Sequence, residues 1–284
     1  MKKEKRSKKH YFSTILILLI FLLVGLIAYA RYIGTSGLIV KEYIIENERI
    51  PNHFDGFKIV HFTDLHFGST VFLPEVEHLV KKINELKPHV VIFTGDLIDS
   101  NYSISESNLE KLVNTLNKID AQLDKFLVPG GHDQIPAFEK ALEDLEFKAL
   151  LNESQLFYYQ EDTPIRIIGI SDIYPGFNTD YAFLFEEDEE DDYYTIVLAH
   201  EPDVFERMRH HHIDLFLAGH SHGGQVRLPF TGALVKNHGA RLYYEEMYQI
   251  DGTQMFISSG VGTSQLPFRL FNRPSINFYR FFAQ

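Results

Sequence analysis

The chain has 284 residues, with 27 Lys and Arg against 39 Asp and Glu, and contains neither cysteine nor tryptophan. Without cysteine there is no disulfide and no thiolate metal site, so any metal must be held by His, Asp, Glu or Asn. Residues 1–31 carry seven Lys or Arg and one acid, leaving 20 basic against 38 acidic residues beyond them, about −18; a domain that acidic lacks the basic footprint of a nucleic-acid binder, and no nucleic-acid partner is expected.

In chain order, residues 1–10 are a basic cytoplasmic tail. Residues 11–32 are almost wholly apolar, and roughly 20 such residues span a bilayer as a helix. Lys and Arg ahead of the run place that end in the cytoplasm and the rest outside, a single-pass arrangement in the cell membrane. Ala28-Tyr29-Ala30 also resembles a cleavage site, so a signal segment is the alternative; the length of the run and the bulky residues after it favour a retained anchor. Residues 33–57 read as a connector holding an edge strand at 38–45 and a turn at 51–56. Residues 58–284 read as one α/β domain.

Within that domain, five apolar runs (58–62, 90–93, 126–128, 195–199 and 214–218) read as strands buried on both faces. Between the first two, Val76, Leu79, Val80, Ile83 and Leu86 fall at helical spacing, and Lys87-Pro88 ends the segment. This is a β-α-β unit with parallel strands. Further helices are expected at 106–120 and 136–147, with β pattern at 156–159, 165–170, 254–259 and 275–282. The acidic run at 186–192 reads as a solvated loop. Residues 203–212 read as a short helix whose C-terminus is capped by His210, His211 and His212.

Each of the five strands ends on groups that bind metals: Asp64-x-His66, Gly95-Asp96-x-x-Asp99, Gly130-Gly131-His132-Asp133, His200, and Gly219-His220-x-His222. An α/β sheet gathers its ligands at the carboxyl ends of its strands. A one-residue gap on an extended segment aims Asp64 and His66 the same way, and His220 with His222 repeats it. A lone Asp or His at a strand end is more often a cap; recurrence at five strand ends outweighs that reading. Asp64, His66, Asp96, His200, His220 and His222 are too many for one catalytic ion that keeps an open position. They suit two divalent ions about 3.5–4 Å apart, and imidazole with carboxylate suits Mn, Zn or Fe. His61, inside the first strand, reads as core.

Taken together, these motifs resemble the calcineurin-like metallophosphoesterases, from about Lys58 to the C-terminus. The stretch from His220 to Pro229 and the Gly260-Val-Gly-Thr-Ser loop are similar to a membrane-anchored bacterial branch of that family. The resemblance implies a four-layer α/β/β/α sandwich and hydrolysis of a phosphodiester or phosphomonoester by a metal-bridging hydroxide. It implies Asp64, His66, Asp96 and His222 on one metal, with Asp96, His200 and His220 on the other. His132 would lie nearest the leaving group, Asp133 would orient it, and Asp99 would brace the Asp96 turn. One departure stands out. The family's third motif is Gly-Asn-His-Asp/Glu with Asn as a ligand, and here that position is Gly131. A weaker second metal site is expected unless water, Asn101 or Gln134 fills the gap. The alternative is a catalytically weak metal-binding or sensing protein with a degraded second site. Confinement to a membrane surface points to a lipid-linked or cell-envelope phosphoester.

Overall fold

A computed structural model describes residues 2–171, 181–185 and 193–284, with side chains from His10 onward. The acidic run at 186–192 lies outside the described residues. The chain begins with helix α1 (Lys2–Ala28), which continues as one wider π-turn over Tyr29–Ile33. The stretch His10–Ile33 is long and apolar enough to cross a membrane, with mean hydropathy 2.7. Its apolar side chains are exposed almost throughout, which in water would be untenable for so many of them.

Two six-stranded sheets follow. One runs in the order β1 (Ile39–Asn47), β14 (Ser275–Ala283), β2 (Lys58–Phe62), β3 (Val90–Phe93), β4 (Asp124–Leu127) and β5 (Lys148–Ala149). The other runs β12 (Met247–Ile250), β13 (Thr253–Ile257), β9 (Leu215–Ala218), β8 (Thr195–Leu198), β7 (Glu161–Gly169) and β6 (Glu153–Tyr159). Strands β2, β3 and β4 are mutually parallel, as are β7, β8, β9 and β13. A short hairpin, β10 (Arg227–Leu228) with β11 (Gly232–Ala233), stands apart. The connector's strand β1 belongs to the first sheet, paired in parallel with β14 along nine residues.

Alternation along the strands sends residues to three cores, one between the sheets and one on the outer face of each. Ile59, Ile92 and Phe126 of the first sheet meet Ile167, Ile196 and Leu217 of the second between the sheets. Their neighbours Val60, Val91 and Leu127 face outward onto α2 (Leu73–Leu86), α3 (Glu106–Leu116) and α4 (Pro136–Asp144). Val76, Leu79, Val80 and Ile83 form the buried stripe of α2, as their spacing predicts. Outside the second sheet the fourth layer is thin. Among the described residues it consists of 3-10 turns, Tyr181–Leu184 and Pro202–Arg207, over Ile168, Val197 and Phe216.

Several boundaries differ from expectation for local reasons. Helix α3 stops at Leu116 because Lys118 and Ile119 close tighter i→i+3 bonds, and the Asn117 side chain caps the end of α4 through Asp144 O and Glu146 N. The segment at 203–212 is shorter than expected. The Asp203 carboxylate accepts from the backbone N–H of Arg241, Leu242 and Tyr243, which ties the turn to that loop. It ends at Arg207, before the three histidines, so they do not cap it. His211 instead stacks on Phe185 with ring centroids 4.2 Å apart.

Candidate metal centre

The five predicted stretches meet at one rim, where parallel strands from both sheets end. Backbone hydrogen bonds knit the loops there: Asp64 N to Gly95 O (2.9 Å), His66 N to Asp96 O (3.0 Å) and Gly262 N to Asp64 O (2.7 Å). The one-residue gaps do not act on extended backbone, as the spacing implied. Asp64, His66, Asp96, His220 and His222 all have φ between 44° and 61°. Left-handed backbone at five non-glycine residues is costly and collects at functional sites. Packing also demands glycine at the rim. A Cβ on Gly130 would sit 2.4 Å from Asp96 Oδ1 and 2.7 Å from His200 Nδ1, and one on Gly219 2.6 Å from Asp64 Oδ2.

Three ligand-bearing groups assemble. Asp64, His66 and His222 form one; Asp96, His200 and His220 form another; His66, Asp99 and His132 form a third that shares His66. Asp96 Oδ2 lies 3.4 Å from His66 Nε2 and 3.2 Å from His200 Nε2, between the first two groups. Its other oxygen accepts from His132 N at 2.8 Å. Asp64 Oδ1 is buried without a hydrogen-bond partner, 3.4 Å from His222 Nε2 and 3.7 Å from His66 Nε2. His66 and His222 face each other Nε2 to Nε2 at 3.1 Å. A buried carboxylate oxygen without a donor, beside two imidazole nitrogens aimed at each other, is the arrangement a cation satisfies. These residues therefore fit a divalent metal.

The electrostatics agree. Burial opposes charge on Asp64, yet the surrounding His222, His66 and His200 hold its carboxyl well below the usual range. Asp96 is likewise depressed, mainly by His200 acting against burial. Burial drives His222 down to about 3, so of the three imidazoles it is the first to give up its charge as pH rises. The positive partners are His66 and His200, raised against burial by the Asp64 and Asp96 carboxylates. A metal ion would displace those protons and take over the charge balance.

Second contacts fix the rings. His200 Nδ1 donates to Thr94 O at 2.6 Å and His220 Nε2 donates to His238 O at 2.6 Å, which turns His200 Nε2 and His220 Nδ1 toward each other at 3.2 Å. Asp99 Oδ2 stands 3.7 Å behind His66 Nδ1, so it backs that ring rather than the Asp96 turn. Asp133 also differs from expectation. Its carboxylate accepts from the backbone N–H of Asp96, Leu97 and Gly130, each at 2.8 Å, and does not orient His132. His132 is half-buried, its Nδ1 accepts from Ser100 N at 3.1 Å, and its ring lies 4.6 Å from that of His66. Sequence reasoning missed Arg269. It is fully buried behind His222, and its Nη2 donates to the carbonyls of Ser259, Gly260 and Gly262. No motif spacing marks it, because it organises a loop rather than a ligand pair. At Gly131, a Cβ would meet nothing within 4 Å. Asn101 and Gln134 are exposed and form no side-chain hydrogen bond to the cluster. His61 is core: buried, with Nε2 2.8 Å from Thr94 Oγ1.

Known proteins match this arrangement. The calcineurin-like phosphoesterase family model covers residues 57–224. The chain is 31% identical to the metallophosphoesterase YkuE of Bacillus subtilis over 255 residues, 88% of each chain. It is also 31% identical to a metallophosphoesterase of Aquifex aeolicus over 270 residues, 90% of this chain and 96% of that one. A transmembrane protein with a metallophosphoesterase domain from Danio rerio is 27% identical over 253 residues, 84% of this chain and 56% of its own. On the family match and the extent of these relatives, the chain belongs to the calcineurin-like phosphoesterases and is a hydrolase of phosphoric esters.

Proposed function

We propose that this chain hydrolyses a phosphodiester on a cell-envelope or lipid-linked substrate, from outside the cytoplasm, with α1 retained as a single-pass anchor. The observation that carries the two-ion reading is Asp96 Oδ2 standing between His66 and His200, beside the partnerless Asp64 Oδ1. Asp64, His66, Asp96 and His222 would hold one ion, and Asp96, His200 and His220 the other. Mn, Zn and Fe all suit these donors. When bound, the pair supplies charge that acidifies a water and offsets the charge of the phosphoryl group.

The chain's own residues do the rest. Burial lowers the His132 pKa, which favours the neutral ring. Because Nδ1 accepts from Ser100 N, the proton sits on Nε2, where it is available to the departing oxygen. Asp133 acts by holding the Asp96 and Gly130 loops against each other.

The test is turnover of bis-(p-nitrophenyl) phosphate and p-nitrophenyl phosphate by the solubilised full chain during a Mn titration, with metal counted per chain. Diester turnover that rises with Mn and vanishes with chelator is expected. Less than one metal per chain at saturating Mn, or no diester turnover, would overturn the reading.

A further inference from the structure

An apolar lip adjoins both the metal centre and the end of α1. Where the apolar segment ends, Arg269 N donates to Ala30 O at 2.9 Å and Arg273 Nη2 to Ser36 O at 3.3 Å. Leu270, between them, exchanges backbone bonds with the start of β10 and the residues leading into it: Arg227 N to Leu270 O (2.9 Å) and Leu270 N to Gln225 O (3.2 Å). The hairpin β10–β11 then projects with Phe230 at its tip. A continuous set of backbone bonds thus joins the end of the apolar helix to this hairpin, which begins five residues beyond His222.

The lip is apolar where water should meet it. Phe230 is 108% exposed, and Leu228, Leu234, Val235, Leu266 and Phe271 are each more than 40% exposed. A patch of that kind marks an interaction surface. Its charge is opposite to that of the domain: neither 223–244 nor 252–274 contains an Asp or Glu, although the chain has 39. The exposed ions within those two segments are Lys236, Arg241 and Arg273, and the adjoining acids Glu245 and Glu246 are paired with Arg227 and Lys41. Apolar side chains rimmed by cations fit an anionic lipid surface. A cavity lined by His222, Gln225, Val235, Leu266 and Phe268 leads from the wall of the metal centre to this lip.

We propose that the lip inserts into the same anionic bilayer that α1 enters, so that the chain meets the membrane at two points and its metal centre opens at headgroup depth. The substrate class is then a phosphoester whose apolar tail stays in the bilayer; this clause rests on the function proposed above, whereas the insertion does not.

Because the chain has no tryptophan, Phe230→Trp introduces a sole indole. The full chain would be reconstituted in phosphatidylcholine–phosphatidylglycerol vesicles containing brominated acyl chains. Leu123→Trp, just before β4 at the opposite end of that sheet from the metal centre, serves as control. The Phe230→Trp indole should shift to the blue and be quenched more than about twofold over the control, as for a side chain at the headgroup–acyl boundary. Phe271→Trp is an independent second reporter. Combining Lys236→Glu, Arg241→Glu and Arg273→Glu with Phe230→Trp should reduce the quenching. Equal quenching at the lip and control positions would overturn the insertion, and quenching indifferent to the three charge reversals would overturn its electrostatic part. Diester turnover by the same samples in detergent reports separately on the catalytic reading.

Discussion

At Gly131 the missing side chain leaves room rather than collapse: nothing lies within 4 Å of where its Cβ would be, and its φ is not in the left-handed region. Asparagine fits there without strain. Gly131→Asn is therefore expected to lower the Mn concentration needed for half-maximal diester activity by supplying a neutral oxygen donor. An unchanged midpoint would show that position 131 plays no part in metal affinity. Two adjacent residues separate structure from chemistry. Asp133→Ala leaves three buried backbone N–H groups without their acceptor, at about 1–3 kcal/mol each, so its melting temperature and metal content should both fall. His132→Ala removes a half-buried ring with one backbone contact, so it should keep both while kcat drops by about 10²–10⁴. A melting temperature unchanged in Asp133→Ala would contradict the brace described here.

Among the elements, the strand-end turns are the least tolerant. Gly130 has extended backbone that any residue adopts, yet its hydrogens face Asp96 and His200. Gly130→Ala is expected to push the β3 and β4 loops apart and abolish metal retention, measured by metal per chain after gel filtration, while far-UV circular dichroism stays native. Retention of two metals would show that the loops give more readily than their packing implies. The strands themselves were legible because both of their faces are buried, so each reads as a continuous apolar run. The helix ends were less legible. At Asn117 and Asp203 a side chain reaches a distant backbone group, and no local pattern announces that partner.

For the whole molecule, stability should depend on pH through groups kept neutral by burial. Burial lowers the His61 pKa to about 3, against about 6.5 in the unfolded chain. Between those values the unfolded state holds the extra proton. His61 therefore contributes stability that is complete above about pH 6.5 and is lost as pH falls toward 3, by up to about 1.4 kcal/mol per pH unit. Denaturant unfolding of His61→Gln should show a smaller loss between pH 7 and pH 5 than the native chain. An equal loss would mean that other groups carry the dependence.

The sequence by itself determined the apolar N-terminal helix, the α/β class, the core strands and the set of Asp and His residues at their ends. Each of these is written in local hydrophobic period and in residue type, which need no partner to be read. Only the tertiary structure decided that Asp96 stands between two histidine groups, that Asp133 serves backbone rather than His132, that Arg269 lies behind His222, and that a basic apolar lip adjoins the end of α1. Those relations join residues tens to more than two hundred positions apart, and such contacts exist only once the two sheets have closed against each other.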